Sequence, residues 1–135
     1  QLHGKETPRD VADFAARHPL APVVKALGIA TRADLDHIAD YKAADAFLLD
    51  AKPPKGATRA GGLGRAFDWT LLKGLRTHDH EDWTLSGGLT PENVAEAIRI
   101  SGAGAVDVSS GVESSPGVKD PARVEAFIKA AKAAG

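Results

Sequence analysis

Short apolar segments alternate with amphipathic segments along this chain, and the alternation predicts a parallel α/β structure. The apolar segments are nearly continuous in hydrophobicity, which is typical of strands covered on both faces of a parallel sheet. They span residues 22–26, 46–49, 83–85 and 105–108. Leu2 is interpreted as the end of an earlier strand. The sequence therefore predicts five βα units in one run, within a single domain over residues 1–135.

Each amphipathic segment begins with residues that favour a helix N-terminus. A Thr or Asp N-cap recurs, often with proline at the first helical position and an acidic side chain in the first turn. The predicted helices begin after Thr7, Thr31, Asp68, Thr90 and Asp120. The helix that follows Asp68 is predicted to cover residues 69–75.

Two architectures fit this alternation of strands and helices. One is an open five-stranded sheet of the flavodoxin type, and the other is part of a parallel barrel. The 135 residues are too few for a complete (β/α)₈ barrel, which usually needs at least ~200 residues. In both architectures, chemistry takes place at the carboxyl ends of the strands. The candidate functional residues are therefore those that directly follow each apolar segment.

Composition narrows the range of partners. The chain carries 17 Lys plus Arg and 18 Asp plus Glu, so its net charge of −1 gives no electrostatic case for nucleic acid or an anionic membrane. No apolar run is long enough to span a bilayer. Cysteine is absent, which excludes disulfides, zinc–thiolate sites and a cysteine nucleophile within these residues. Methionine is absent too, which predicts that the chain has been trimmed or processed.

Two strand-end motifs predict a phosphate site. Gly87-Gly88 follows one apolar segment, and Ser109-Ser110-Gly111 follows the next. Glycine lets backbone N–H groups approach an anion closely, and a helix N-terminus adds partial positive charge. Tight turns between strand and helix are the alternative interpretation of each motif alone. Their occurrence at two consecutive strand ends favours phosphate binding.

Three titratable side chains are candidates for contact with the substrate. Asp50 ends an apolar segment, where partial removal from water favours the protonated carboxyl and suits general acid catalysis. His3 follows the end of another strand, and Asp107 lies one residue inside the end of a third. For each of the three, a purely structural role in the local turn is the alternative. Lys25 is the basic residue most expected to point into a site, with a snorkelling lysine of the barrel interior as an equal alternative.

The remaining motifs give less specific evidence of a function. The string GGLG at residues 61–64 lacks the spacing of a dinucleotide fingerprint, and it predicts either a flexible lid or a surface insertion. His78 and His80 lie in a polar stretch without further ligands, so we expect a solvated loop and no metal site.

Four longer strings resemble one enzyme family. They are QLHGKE at 1–6, LLDAKPPKG…GGLGRAFDW at 48–69, LSGGLTPENVAEAI at 85–98 and VDVSSGVESSPGVKD at 106–120. In this order, across the whole chain, they closely resemble phosphoribosylanthranilate isomerase. The resemblance implies a cytoplasmic (β/α)₈-barrel enzyme of tryptophan biosynthesis that uses no metal or organic cofactor. It also implies that this chain corresponds to strands four to eight of the barrel.

The family converts N-(5-phosphoribosyl)anthranilate into 1-(2-carboxyphenylamino)-1-deoxyribulose 5-phosphate by an Amadori rearrangement. The resemblance implies that Asp50 is the general acid, which protonates the furanose ring oxygen. It places Asp107 and His3 near the anthranilate and ribose portions of the substrate. The residues implied in phosphate binding are Gly87, Gly88, Ser109, Ser110 and Gly111. Leu63 stands where the family more often has a small hydroxyl residue.

The sequence departs from the family pattern at the catalytic base. In the family the base is a cysteine of the first strand, and these 135 residues contain no cysteine. We therefore expect that the cysteine belongs to an N-terminal part missing from this chain and that the chain alone is inactive. The alternative is a half-barrel that only binds phosphate, with its open edges covered by the missing segment or by a homo-oligomer. A different phosphosugar enzyme is disfavoured by Asp50 and by QLHG.

Overall fold

The structure is a computed structural model, and it describes residues 1–51, 67–75 and 83–135. Within these residues, four strands form a parallel sheet in the order β1-β2-β3-β4. They are β1 (Val24–Ile29), β2 (Ala46–Ala51), β3 (Trp83–Ser86) and β4 (Ala105–Val106). Leu2 adds a single parallel bridge to Lys25 on the open side of β1. The predicted parallel α/β fold is confirmed, since neighbours in sequence are neighbours in the sheet.

Strand boundaries differ from the prediction at both ends of the sheet. β1 starts two residues later than predicted and continues to Ile29. β4 ends at Val106, two residues earlier than predicted, and the backbone is no longer extended at Ser109, where φ is −126° and ψ is −84°. Asp107 therefore lies directly after the strand rather than inside it.

Four α-helices lie within the described ranges of the chain. They are α1 (Pro8–Arg17), α2 (Arg32–Leu35), α3 (Val94–Ser101) and α4 (Pro121–Ala134), and a 3₁₀ helix (Asp36–Asp40) continues α2. The predicted caps of α1 and α4 are confirmed. Thr7 and Asp10 form a reciprocal capping box, and the carboxylate of Asp120 accepts the amide of Ala122 at 2.9 Å.

Two helices differ from the prediction. The cap at Asp68 is confirmed, since its carboxylate accepts the Thr70 amide at 3.0 Å, but the helix that follows is shorter and of another type. After Asp68 the chain forms only a 3₁₀ helix (Trp69–Leu72), because Gly74 adopts a φ of +74° that a helix cannot continue through. After Thr90 the chain forms a turn, and α3 begins later. The cause is the Asn93 side chain, which accepts the Thr90 amide at 2.8 Å and donates to the Gly88 carbonyl at 3.0 Å.

An antiparallel hairpin follows the sheet and was not predicted. It pairs β5 (Glu113–Ser115) with β6 (Val118–Lys119). Its turn contains Pro116 and then Gly117 at a φ of +81°, which is the pattern of a type II turn. The string Ser-Pro-Gly in the sequence is a signal that could have revealed the turn.

The helices cover the sheet and bury its apolar side chains. The fully buried aliphatic residues include Val11, Ile29, Leu49, Leu72, Leu85 and Val94. Leu49 and Leu85 face each other in the register of β2 and β3 at the centre of this core. None of the helices in the described ranges has the length and apolar character that a membrane crossing requires.

Candidate active site

Parallel strands end at one edge of the sheet, and polar residues line a cavity of about 300 Å³ there. The chain segments that follow Leu2, β2, β3 and β4 all contribute to it. The lining residues are His3, Asp50, Ser86, Gly87, Gly88, Leu89, Asp107, Val108, Ser109, Ser110 and Gly111. The structure thus brings together every residue that the sequence suggested as acid, phosphate ligand or substrate contact. The chemical role of each one stays a prediction.

Gly87 brings the end of β3 against Asp50. Its φ of +93° is a conformation that residues with a side chain rarely adopt. A Cβ atom at this position would lie 2.5 Å from Oδ1 of Asp50 and would overlap the carbonyl oxygen of Ala51. Glycine is therefore required here by the packing around Asp50, in addition to any contact with an anion.

Gly111 brings the loop after β4 against the loop after β3. A Cβ atom at Gly111 would overlap the carbonyl oxygen of Leu89 and would lie 2.9 Å from its carbonyl carbon. Gly88 differs, because its φ is +64° but no atom lies within 4 Å of where its Cβ would be. The two loops thus meet backbone to backbone, which leaves the cavity surface with small side chains and accessible peptide groups.

Asp107 and Ser86 join the ends of the two strands that carry these loops. The amide of Asp107 donates to the carbonyl of Leu85 at 2.8 Å, which extends the pairing of β4 with β3. The carboxylate of Asp107 accepts the Ser86 hydroxyl at 3.2 Å. Asp107 therefore has a structural contact of its own, and its predicted contact with the substrate stays a prediction.

His3 reaches the cavity because Leu2 pairs with β1. The Leu2 amide donates to the Val24 carbonyl at 2.8 Å, and the Leu2 carbonyl accepts the Ala26 amide at 2.9 Å. This pairing extends the sheet by one residue and places His3 at the same edge as the other strand ends.

The side chain of Lys25 holds the turn around His3 (residues 2–6) from the interior of the molecule. The residue is only 1% exposed. Its Nζ donates to the carbonyl oxygens of Leu2 (3.4 Å), Gly4 (3.1 Å) and Ala26 (2.9 Å) and to Oε2 of Glu6 (3.0 Å). The prediction that Lys25 points into the site is wrong, because Lys25 is not among the residues that line the cavity. Its side chain lies in the interior, as in the alternative, but its Nζ does not snorkel to solvent. The physical reason is that a buried ammonium needs oxygen partners, and the backbone around Leu2 and Gly4 supplies them.

The charge of Lys25 also sets the protonation of its partner. The hydrogen bond from Lys25 holds the pKa of the Glu6 carboxyl below its usual range, and backbone amides, among them that of Gly4, act in the same direction. The Tyr41 hydroxyl donates to the Glu6 carbonyl at 2.8 Å. Burial raises the pKa of Tyr41, and the nearby Glu6 charge adds to this effect. The turn is thus fixed by one buried cation, one carboxylate and one phenol.

Two cations that the sequence analysis missed hold the loop after β4 from outside the cavity. Lys119 donates to the carbonyl of Ser109 at 2.9 Å and lies 3.3 Å from its hydroxyl. Arg123 donates to the carbonyl of Gly111 through Nε at 3.1 Å and through Nη2 at 2.9 Å. Hydrophobic periodicity gives no signal for either contact, because both depend on the path of the unpredicted hairpin. The lysine does fall within the string VDVSSGVESSPGVKD.

Some sequence-based expectations concern residues outside the described ranges. These are the glycine-rich string at 61–64 with Leu63, and the pair His78 and His80. Within residues 1–51, 67–75 and 83–135, no three His, Cys, Asp or Glu side chains are grouped as a metal ion would require.

A parallel α/β sheet with a polar cavity at the carboxyl ends of its strands is the arrangement in which TIM-barrel enzymes carry their active sites. Comparison with known sequences specifies this class further. The family model of N-(5'-phosphoribosyl)anthranilate (PRA) isomerase matches residues 1–130, and the chain belongs to this family. The resemblance seen in the four sequence strings is thereby confirmed.

Individual relatives agree with the family model. An N-(5'-phosphoribosyl)anthranilate isomerase of Rhodopseudomonas palustris is 60% identical over 134 residues, which cover 98% of this chain and 60% of that relative. The crystal structure of the isomerase from Thermotoga maritima has a TM-score of 0.77 at 41% identity and matches 98% of this chain and 60% of its own. A second structure, in complex with reduced 1-(o-carboxyphenylamino)-1-deoxyribulose 5-phosphate, has a TM-score of 0.73 at 38% identity and matches 98% of this chain and 58% of its own.

The chain spans about 60% of the length of these relatives. The TIM-barrel type of fold and the family follow from the comparisons. The comparisons give no support to the expectations that a cysteine-bearing part is missing and that the chain is inactive alone, so both stay predictions.

Proposed function

We propose that this chain supplies the general acid and the phosphate-binding loops of a phosphoribosylanthranilate isomerase. The reaction is the conversion of N-(5-phosphoribosyl)anthranilate into 1-(2-carboxyphenylamino)-1-deoxyribulose 5-phosphate in tryptophan biosynthesis. The observation that carries the proposal is the cavity at the carboxyl edge, since it gathers a carboxylic side chain and two glycine loops in about 300 Å³. The solved relative that binds a phosphorylated ligand supports the same class of substrate for this chain.

We propose that residues 1–135 form one domain of five βα units that correspond to strands four to eight of the barrel. The sequential order of the four parallel strands supports this arrangement. The parallel bridge of Leu2 beside β1 supports the position of the fifth strand. A cytoplasmic location and self-association through the open sheet edges stay predictions.

Asp50 is the proposed general acid. Its proton passes to the furanose ring oxygen as the bond between C1′ and that oxygen breaks, and the ring oxygen becomes the 4′-hydroxyl. The anilino nitrogen shares its lone pair with C1′, so a protonated Schiff base forms. The position of Asp50 at the end of β2, against the backbone of Gly87, supports this role because the cavity holds the carboxyl in one place.

The second step removes the proton from C2′. The electrons of that C–H bond form a C1′=C2′ double bond and neutralise the iminium nitrogen, and the resulting enol tautomerises to the ketone. The 135 residues contain no cysteine, so the base inferred from the family resemblance is not among them. This chain accordingly accounts for the acid side of the reaction.

The glycine loops are the proposed phosphate site. Gly87 and Gly88 after β3, and Ser109, Ser110 and Gly111 after β4, border the same cavity. Their backbone amides can donate to phosphate oxygens without interference from large side chains. The proposed contacts of His3 and Asp107 are with the ribose and the anthranilate, since both residues line the cavity beside Asp50.

The acid role is tested by Asp50→Asn in the complete gene product that carries these residues. We expect kcat to fall by about 10²- to 10⁴-fold, the usual contribution of general acid catalysis. Binding of reduced 1-(o-carboxyphenylamino)-1-deoxyribulose 5-phosphate is expected to persist. Asp13→Asn, on the exposed side of α1, is the matched control. Wild-type turnover in Asp50→Asn would exclude Asp50 as the acid.

A phosphate-binding half-barrel without turnover is the second candidate. The absence of cysteine from the 135 residues favours it for this polypeptide alone. We expect the purified 135-residue chain to bind the reduced product analogue and to show no isomerase activity. Detectable turnover by a sample of verified mass would refute this prediction.

A further inference from the structure

Arg123, near the start of α4, contacts the loop after β4 from behind. Two of its guanidinium nitrogens donate to the carbonyl oxygen of Gly111, Nε at 3.1 Å and Nη2 at 2.9 Å. Gly111 borders the cavity, whereas Arg123 does not. The negative end of the Gly111 peptide group is therefore held by a cation outside the site, where it does not oppose an anion in the cavity.

The same guanidinium also reaches the segment after β3. Nη1 and Nη2 lie 3.2 and 3.3 Å from the two carboxylate oxygens of Glu92, which is a bidentate pair. Glu92 belongs to the turn between the Gly87-Gly88 loop and α3. Its own amide and then the Arg123 hydrogen bond hold the pKa of the Glu92 carboxyl below its usual range, so the pair is ionised at neutral pH.

One side chain thus connects the two loops that border the cavity. The loops also touch each other directly, because the Cα of Gly111 lies against the carbonyl of Leu89. This contact is made by backbone atoms, and Arg123 adds a side-chain cross-link between the same two loops. The rigid fork of an arginine can hold a carbonyl and a carboxylate at once, which the single ammonium of a lysine does less well.

We propose that Arg123 is a positioning residue that locks the Gly87-Gly88 loop and the Ser109–Gly111 loop together, so that their amides converge on the phosphate group of a ligand. This inference rests on the proposed phosphate site. Arg123 acts through Gly111 and Glu92 and does not touch the ligand. Because its charge is balanced by Glu92, its effect comes from geometry rather than from attraction of the anion.

The test compares phosphate binding among variants, with inorganic phosphate as the probe and backbone amide NMR shifts as the readout. We expect Arg123→Met to weaken phosphate binding about tenfold, the size of effect expected for a lost charge-assisted hydrogen bond. Phosphate binding by Arg123→Lys should be intermediate between that of Arg123→Met and that of the wild type. Arg99→Met is the matched control, because Arg99 also donates to a backbone carbonyl, that of Ala95 at 3.3 Å, but within α3.

Glu92→Gln separates positioning from charge. Loss of the Glu92 charge would leave Arg123 less neutralised, so a purely electrostatic role predicts tighter phosphate binding. The positioning role predicts weaker binding, by roughly threefold, because the bidentate ion pair is replaced by a single neutral acceptor and the cross-link is weakened. Glu92 is largely exposed, so this variant also serves if Arg123→Met does not fold.

The outcomes distinguish the two proposals. If wild type binds phosphate and Arg123→Met binds it equally well, the positioning role is wrong and the phosphate site stands. Tighter binding in Glu92→Gln would also overturn the positioning role. If wild-type phosphate titration leaves the amides of the two loops unchanged, the proposed phosphate site fails and the role of Arg123 fails with it.

Discussion

The turn around His3 and the glycine loops border the same cavity, but different contacts hold them in place. A buried cation fixes the first region, since Lys25 donates to two carbonyls of the turn and to the Glu6 carboxylate. Backbone packing fixes the second region, since Gly87 lies against Asp50 and Gly111 lies against Leu89. One region depends on a side-chain charge and the other on the absence of side chains.

The difference follows from what each region presents to the cavity. The turn presents the His3 side chain, so its backbone is free to be tied down from the interior. The glycine loops present their backbone, so the contacts that hold them must come from neighbouring backbone or from cations outside the cavity. The following experiments test this division, from the largest expected effect to the smallest.

The largest effect is expected for Gly87→Ala. The substitution adds a Cβ in a left-handed conformation and places it against Asp50 Oδ1 and the Ala51 carbonyl. We expect a loss of about 4 kcal/mol in the free energy of unfolding, measured by urea denaturation. Gly88→Ala is the matched control at a φ of +64° with open space, and it should cost about 1 kcal/mol. Equal losses in the two variants would contradict the packing argument.

The second-largest loss in the free energy of unfolding is expected for Lys25→Met. It removes the cation and takes one donor from the Glu6 carboxylate and from each of three carbonyl oxygens, which we expect to cost about 3 kcal/mol. Lys129→Met is the control, because Lys129 pairs with Glu125 on the exposed face of α4, and it should cost at most about 0.5 kcal/mol. The His3 ring signals should shift in Lys25→Met and stay in place in Gly88→Ala. Unchanged His3 signals in Lys25→Met would show that the cation does not hold the turn.

The ion pair between Lys25 and Glu6 also predicts a dependence of stability on pH. The pKa of Glu6 is lower in the folded chain than in the unfolded chain, chiefly because of the Lys25 hydrogen bond. Its contribution to stability is therefore fully present above the unfolded pKa of about 4.3 and is lost as the pH falls through the lowered folded value. Thermal unfolding between pH 6 and 3 should show a smaller acid-induced loss in Glu6→Gln than in wild type. Parallel curves for the two proteins would show that the Glu6 carboxylate does not contribute to the pH dependence of stability.

The smallest effect is expected for Ser86→Ala. Its hydroxyl donates to Asp107 at 3.2 Å between exposed groups, so its removal should cost about 0.5 kcal/mol in the free energy of unfolding. A small loss agrees with a region held mainly by backbone packing. A loss as large as that of Gly87→Ala would mean that side-chain hydrogen bonds hold the glycine loops as well.

Much of the fold was predictable because its signals are local. The N-caps of α1 and α4 involve residues at most three positions apart, and the apolar segments mark the strands directly. The candidate site was predictable for a related reason, because parallel strands bring all their carboxyl ends to one edge. The length of the helix after Asp68 was not predictable from its cap, since the helix ends at Leu72, after four of the seven predicted residues, and Gly74 has a φ of +74°.

By itself, the sequence determined the order of strands and helices, the family to which the chain belongs and the set of residues at the strand ends. These depend on periodicity, local capping and recurring strings. Only the tertiary structure decided that Lys25 holds the turn around His3 and that Arg123 joins the two glycine loops. The physical reason is sequence distance, because Lys25 lies 23 residues from Leu2 and Arg123 lies 31 residues from Glu92. Whether such groups meet depends on the register of the sheet and the path of the loops between them.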